Sequence, residues 1–250
     1  MGSARSRPSR PLATKAPARS RPSRPLAAGA ARTEASKAVQ DYTKAIWSLG
    51  TRSNEPVSTS AIAERLEVSP ASASAMVKRL ESMGLVEREP YHGVRLTATG
   101  ERLALEVLRH HRLLELYLAE ALGMSWDRVH EEAEVLEHAI SPELSELIAA
   151  KLGNPTHDPH GDPIPTADGE IDEGPTRSLT ELDPGERGRF TRVSDSNSEM
   201  LRYLSGRGIA PGDELELVGH EPFGGPVTVS VNGRAHALGD QLARAMRIEQ

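Results

Sequence analysis

The segment VHEEAEVLEHAI, residues 129–140, sets His130 and His138 among Glu131, Glu132, Glu134 and Glu137. Imidazoles and carboxylates together are donors for divalent transition metals, and they also serve general acid–base chemistry. Val129, Ala133, Leu136 and Ile140 recur at three- and four-residue intervals, so the spacing predicts an amphipathic helix with one buried face. On it His130, Glu134, Glu137 and His138 share a stripe beside that face, while Glu131 and Glu132 point elsewhere. Taken alone, such a stripe is the ordinary solvated side of an acidic helix. A neighbouring helix changes the weighing. Within ATGERLALEVLRHHRLLELYLAEALG (98–123), His111 and Glu115 stand at i and i+4. Antiparallel packing of the two helices gathers His111, Glu115 and His130 into a three-ligand metal set.

The elements that must hold these donors follow from the rest of the chain. It has 250 residues and ample apolar periodicity for a real core. No apolar run approaches the roughly 18 residues that cross a bilayer, so no membrane partner is expected. Cysteine is absent, which excludes disulfide frameworks, thiolate metal sites and cysteine nucleophiles and fits a cytoplasmic protein. The net charge of −6 hides an asymmetry: residues 1–40 hold nine basic side chains and one acidic one. In that head ARSRPSRPLA at 4–13 returns unchanged at 18–27, and five prolines forbid a continuous helix. Residues 1–34 therefore read as a disordered basic tail, either a nucleic-acid arm or a passive extension.

From Ser36 the pattern becomes helical. KAVQDYTKAIWSL carries an Ala38, Tyr42, Ala45, Ile46, Leu49 stripe; SAIAERLEV follows, capped by Ser58 or Thr59; ASASAMVKRLESMG forms a third helix ended by Gly84. LVEREPYHGVRLT then reads as two strands around a turn at Pro90 to Gly93. Helix, helix, tight turn, helix and hairpin is the order of a winged helix-turn-helix, assigned to residues 35–100. The third helix offers Ser69, Ser72 and Ser74, then Lys78 and Arg79, and the hairpin adds Arg88 and Arg95, side chains suited to DNA phosphates. Ala71, Ala73 and Ala75 leave no bidentate base reader at the helix start, so sequence preference rests on methyl contacts and DNA shape. Thr97 and Gly100 open the long helix, Gly123 closes it, Ser125 is expected to cap the next, and Ser141-Pro142 starts one running to Gly153.

From Lys37 to Gln250 the chain resembles the diphtheria toxin repressor family, metal-dependent transcriptional regulators of Gram-positive bacteria and actinobacteria. QDYTKAIWSL, IAERLEVSPASASAMVKRLESMGLV, LTATGERLALEVLRHHRLLE, VHEEAEVLEHAISPELSELI and GNPTHDPHGDPIP carry the resemblance. It implies a primary metal site on Asp41, Glu134, Glu137 and His138, and an ancillary one on His111, Glu115 and His130. Iron-responsive members hold Met and Cys where this chain has Asp41 and Glu134, which is the pattern of the manganese-responsive branch. An oxygen-rich site suits Mn²⁺, with Fe²⁺ the alternative and Co²⁺, Ni²⁺, Zn²⁺ or Cd²⁺ as surrogates. Short manganese regulators carry a further acidic ligand where this chain has Lys44. The partners implied are a second copy of the chain, in a homodimer, and a palindromic double-stranded DNA operator.

Residues 101–153 are thus expected to form a helical dimerisation and metal-binding domain, and 154–177 a linker. Beyond it GERGRFTRVS, DELELVGH, PVTVSVNGRAHAL and MRIEQ read as short strands, with Asn232-Gly233 a hairpin turn. This stretch, 178–250, resembles the SH3-like β-barrel of the longer family members, which donates to the ancillary site; Glu199 is the expected donor. His157, His160, His220 and His236 are read as surface histidines. The fold class is therefore mainly α with a small β part. Two other readings stand beside the metal-dependent repressor: a metal-independent winged-helix regulator of an organic ligand, and a metallohydrolase built on HEEAE, whose fifth position lacks the second histidine.

Overall fold

The computed structural model describes residues 37–53, 55–89 and 92–250; the basic repeat and the hairpin tip at Pro90 and Tyr91 lie outside the described residues. Helix α1 (Lys37–Ser53) packs with α2 (Thr59–Arg65), α3 (Pro70–Ser82) and the antiparallel hairpin β1 (Val86–Glu89) and β2 (Gly93–Leu96). Ser58 caps α2 by accepting from Ala61 N, and Ser69 caps α3 by accepting from Ser72 N, each at 3.1 Å. Val39, Tyr42, Ile46, Ile62, Val77, Leu80 and Val94 fill the core between these elements. Val57 exchanges backbone bonds of 2.9 Å with Val94, a bridge that ties the α1–α2 connection to the wing.

Thr97 accepts from Gly100 N at 3.1 Å and starts α4 (Ala98–Leu122), which ends where Gly123 turns left-handed at φ 69°. Two expectations fail in the next stretch. Ser125 does not cap α5 (Val129–Leu136): its carbonyl takes the Arg128 amide in a preceding turn, and α5 begins with no side-chain cap. Nor does α5 reach Ile140. The backbone tightens at Leu136, with Ala139 N bonded to Leu136 O at 2.9 Å, so Glu137 and His138 sit in the turn beyond the helix. Ser141 then caps α6 (Pro142–Lys151). Val135, Leu136, Leu144 and Leu147 of α5 and α6 remain exposed.

The C-terminal part is one antiparallel sheet of order β3-β8-β4-β5-β6-β7, formed by β3 (Arg177–Ser178), β4 (Arg187–Val193), β5 (Glu214–His220), β6 (Val227–Val231), β7 (Arg234–Leu238) and β8 (Met246–Glu249). It curls around Phe190, Leu201, Leu204, Leu217, Val229 and Met246, with α7 (Ser198–Ser205) and α8 (Asp240–Ala245) closing the core. Asn232 and Gly233, at φ 51° and 76°, make the two-residue turn expected from the sequence. Among the described residues no helix is long and apolar enough to cross a membrane.

Residues 156–163 do more than connect. Asp158 Oδ1 accepts from the amides of His160 (2.8 Å) and Asp162 (2.9 Å), which folds the segment inward, and Val193 N donates to His160 O at 3.0 Å. His160, read from the sequence as a surface residue, is fully buried and stacks on Trp126 at 5.8 Å; His157 and His220 stay exposed. Gly161 makes the fit possible: at φ +85° a Cβ would stand 1.7 Å from Thr191 O on β4. Gly161→Ala is therefore expected to push the segment off β4 and lower unfolding free energy by about 1–3 kcal/mol, read from denaturant melts.

Candidate metal centre

The paired histidines and carboxylates converge where α4, α5, α1 and the loop between β4 and α7 meet. On α4 the i,i+4 spacing brings His111 Nε2 to 3.0 Å from Glu115 Oε1. Antiparallel α5 adds His130, whose Nδ1 is 3.1 Å from His111 Nε2 and 3.3 Å from Glu115 Oε1. Asp195 completes the group: its Oδ2 lies 3.0 Å from His130 Nδ1 and 3.9 Å from His111 Nε2. Asp195 was missed by sequence reasoning, and Glu199 is not brought here. Asn197 caps α7 through the Glu199 and Met200 amides, which leaves Glu199 exposed in the first turn, four residues past the site.

A second group lies beside the first. Asp41 of α1 places Oδ1 3.0 Å from His138 Nε2, which is also 3.3 Å from Glu137 Oε1. Gln40 Oε1 accepts from His138 Nδ1 at 2.5 Å, so the Nε2 lone pair faces the two carboxylates. Asp41 Oδ1 and His138 Nε2 are buried without a hydrogen-bond partner. An imidazole held by its other nitrogen, with its lone pair turned toward carboxylates, is the arrangement of a metal-ligating histidine. Glu134 completes the expected set but is drawn to Lys44, whose ammonium bonds Glu134 Oε1 at 2.7 Å and Glu137 Oε1 at 2.6 Å.

Charge explains these contacts. Burial disfavours the Lys44 ammonium, but Glu137 and Glu134 outweigh it and hold its pKa above the usual lysine value. Burial pushes the Asp41 carboxyl up against the pull of His138, Lys37 and Lys44. His111 is buried, yet Glu115 and bonds to Asp195 and Glu137 raise it well above the histidine range. For His130 burial is again outweighed, by Asp195 and Glu115, and its pKa is pushed up to about 9. His111 and His130 are thus held as cations by the carboxylates around them, and a divalent ion supplies the same charge with directional bonds. The donors present, all oxygen and nitrogen, fit such an ion at both groups.

On the DNA side, Ser69, Ser72, Lys78 and Arg79 of α3 are exposed and Ser74 is half-buried. The Ser69 hydroxyl already caps α3 and meets Ser72 Oγ at 2.9 Å. On the wing Arg88 is 3.6 Å from Glu81 and Arg95 is 2.6 Å from Glu89, so part of the basic charge is locally matched.

A winged helix joined to buried imidazole–carboxylate clusters defines a metal-responsive DNA-binding regulator. Three family models match in tandem: the N-terminal DNA-binding domain of iron-dependent repressors over residues 34–94, their metal-binding and dimerisation domain over 97–166, and the FeoA domain over 177–250. The chain is 35% identical to the diphtheria toxin repressor of Corynebacterium efficiens over 199 residues, 76% of this chain and 85% of that protein. It is 31% identical to the iron-dependent repressor IdeR of Mycobacterium tuberculosis over 223 residues, 84% of this chain and 95% of that protein. A solved manganese-dependent transcriptional repressor in complex with manganese is 43% identical, with a TM-score of 0.79 over 84% of this chain and 98% of its own. The chain belongs to the diphtheria toxin repressor family of metal-dependent transcriptional repressors. The sequence alternatives of an organic-ligand sensor and a metallohydrolase give way to that assignment.

Two predictions follow from the charges. Lys44→Met takes from buried Glu137 one of its two cations and leaves it only His111, so the metal-free protein should lose on the order of 3 kcal/mol in a denaturant melt. Excess Mn²⁺ should recover most of it; recovery equal to that of the parent would show that the metal does not take over from Lys44. Separately, a His130 pKa raised from 6.5 to about 9, set by Asp195, Glu115, His111 and Glu134 around the ring, stabilises the metal-free fold fully below pH 6.5. That contribution is lost as pH rises through about 9. Calorimetry should show the metal-free melting temperature falling over this window while that of the Mn²⁺-loaded protein does not.

Proposed function

We propose that Mn²⁺ is the co-repressor of this chain, held by Asp41, Glu134, Glu137 and His138, with His111, Glu115, His130 and Asp195 as the ancillary set. The observation that carries the reading is the donor chemistry beside α1: the Asp41 and Glu137 carboxylates meet the His138 imidazole, Glu134 is held next to them by Lys44, and there is no sulfur among them. Hard oxygen donors suit Mn²⁺, and softer metals lose their preferred partners. Fe²⁺ is the competing ion in the cell, with Co²⁺, Ni²⁺, Zn²⁺ and Cd²⁺ as surrogates in the tube. The similarity to a repressor solved with manganese supports the choice.

The bound metal supplies charge and fixed bond directions between Asp41 and the donors of the α5 turn. The protein's own residues do the rest. Asp41 and Lys44 lie on one side of α1, while Val39, Tyr42 and Ile46 anchor α1 in the winged-helix core that carries α3. Val135 and Leu136 on α5 and Leu144 and Leu147 on α6 are exposed apolar side chains, suited to pairing with a second copy. Fixing Asp41 against the α5 turn therefore fixes α3 relative to the dimer face. Two α3 helices must enter successive major grooves of a palindromic operator, about 34 Å apart, and a loose hinge holds that spacing only part of the time. A preference of about 100-fold for the competent arrangement is worth about 2.7 kcal/mol. Ser72, Ser74, Lys78 and Arg79 then meet the DNA from α3, with Ser69 at its cap and Arg88 and Arg95 on the wing.

Operator binding titrated anaerobically with each metal tests the reading. Chelator-stripped protein should bind at least tenfold more weakly than the Mn²⁺ form. Asp41→Met with Glu134→Cys should weaken Mn²⁺ activation and favour Fe²⁺, Co²⁺ or Ni²⁺, which accept sulfur. An unchanged ranking would place selectivity outside these two side chains and remove the basis for manganese.

A further inference from the structure

The proposed DNA face is weakly charged. Lys78 and Arg79 on α3 are exposed and make no ion pair among the described residues, but on the wing Arg88 lies 3.6 Å from Glu81 and Arg95 2.6 Å from Glu89. Exposed Glu87 adds a further negative charge next to Arg88 in the chain. Residues 37–100 as a whole hold eight Lys/Arg against seven Asp/Glu, and residues 101–250 hold fourteen against twenty-eight. A duplex carries one negative charge per about 1.7 Å of its axis, and neutralising that charge is the source of essentially all sequence-independent affinity. A nearly neutral reading head on an acidic body starts with a deficit.

The missing charge stands ahead of α1. Residues 1–36 hold eight Lys/Arg and one Glu, and six of the arginines belong to the two copies of ARSRPSRPLA: Arg5, Arg7 and Arg10, then Arg19, Arg21 and Arg24. The other side chains of each copy are Ala, Ser, Pro and Leu, so nothing but arginine is charged and nothing is wider than leucine. Guanidinium groups among such small neighbours suit the minor groove, which is about 6 Å wide and narrower in A·T runs, where its negative potential draws arginine. The recognition helix does not compete for that groove, because it enters the major one. With Ala71, Ala73 and Ala75 at the start of α3, an arm that tells A·T from G·C also supplies sequence information that the helix lacks. Residues 1–34 can reach at most roughly 110 Å, about three turns of duplex, so the arm can follow the groove beyond the α3 contact.

We propose that the two ARSRPSRPLA copies are a DNA-binding arm that lays its arginines into the minor groove beside the α3 contact. The assignment rests on the DNA-binding role of α3 and not on the choice of metal. The proposed metal donors begin at Asp41, outside the arm, so its grip persists when the metal leaves. The metal then switches the protein between sequence-independent and operator-bound states on DNA, not between bound and released ones.

The test uses protein in EDTA and two fluorescein-labelled duplexes of about 30 base pairs, one of alternating A·T and one of alternating G·C, read by anisotropy across a KCl series. Three chains are compared: the full chain, residues 35–250, whose cores use no residue before Val39, and the full chain with Arg5, Arg7, Arg10, Arg19, Arg21 and Arg24 all changed to Gln. At about 0.1 M KCl the full chain should bind the A·T duplex roughly tenfold or more tighter than either altered chain, with a log–log salt slope steeper by about four to six. It should also prefer A·T over G·C by about threefold or more, and netropsin, which fills the A·T minor groove, should abolish that preference. Equal slopes for the three chains would make the repeat a passive extension, and a steeper slope without the A·T preference would put the arginines on phosphates alone. Either result overturns the minor-groove arm. Selection of sites from a random-sequence duplex library by residues 35–250 with Mn²⁺ checks the repressor reading separately: a metal-dependent site leaves it standing whatever the arm does, and the absence of one sinks it.

Discussion

Burying carboxylates is the constraint around which this protein is arranged. Glu115 and Glu137 are 0 and 1% exposed, and an ionised carboxylate taken out of water costs several kcal/mol unless cations surround it; Asp158, 6% exposed, is instead pushed well above the usual carboxylate range by burial and by Asp162 and Glu115 nearby. Those cations come from four different parts of the chain. Helix α1 sends Lys44, α4 sends His111 and Arg112, α5 sends His130, and the segment before β3 sends His160. The helices meet as they do because no one of them could bury its carboxylates alone. This also explains why burial fails to strip the protons from His111 and His130: the field of the carboxylates is larger than the desolvation.

His111 links the two halves of that field. Its Nδ1 is 2.5 Å from Glu137 Oε2, and its Nε2 is 3.0 Å from Glu115 Oε1. With Nδ1–H donated to Glu137, Nε2 is aimed at the ancillary group, and Glu137 fixes the orientation of the ring that a metal displacing the Nε2 proton would use. A change of charge at Glu137 therefore alters the donor strength at Glu115 and reaches α1 through Lys44. The path is contiguous and physical: carboxylate, imidazole, carboxylate on one side and carboxylate, ammonium, helix on the other. Through it a charge placed at the ancillary group is felt at α1, although no side chain of α1 belongs to that group.

What could be read from the sequence was whatever neighbouring residues decide among themselves. Ser58, Thr97 and Gly123 mark helix ends by local hydrogen bonds or a left-handed turn, and each stands where expected. His111 and Glu115 met because four residues make one helical turn. The end of α5 was hidden because it is settled from outside. Glu137, bonded to Lys44 on α1 and His111 on α4, leaves the helical stripe and turns inward. Asp195 and His160 were hidden for a related reason: both lie in loops, where no period announces a direction. A signal existed for one of them, since the HDPHGDP stretch places Asp158, Gly161 and Asp162 at turn spacing, and an aspartate folding its own backbone carries the next histidine inward.

The same observation bears on what the C-terminal sheet is for. Its core is separate from the helical one, built on Phe190, Leu217, Val229 and their neighbours, so it has no need of α4 for its own stability. Yet the end of β4 holds His160 O through Val193 N, and Asp195 of the following turn reaches His130. The contact between sheet and helices is made partly at this site of high negative charge and partly through Trp126, which packs against the sheet core and donates to Ser205 Oγ. Such an interface is weak when its cations are absent or mobile and firm when they are fixed, because its Coulomb attraction depends on the charge lodged there. The Asp195–His130 contact is the part of this attachment whose strength follows the charge lodged at the centre, because the Trp126 contact beside it does not depend on that charge.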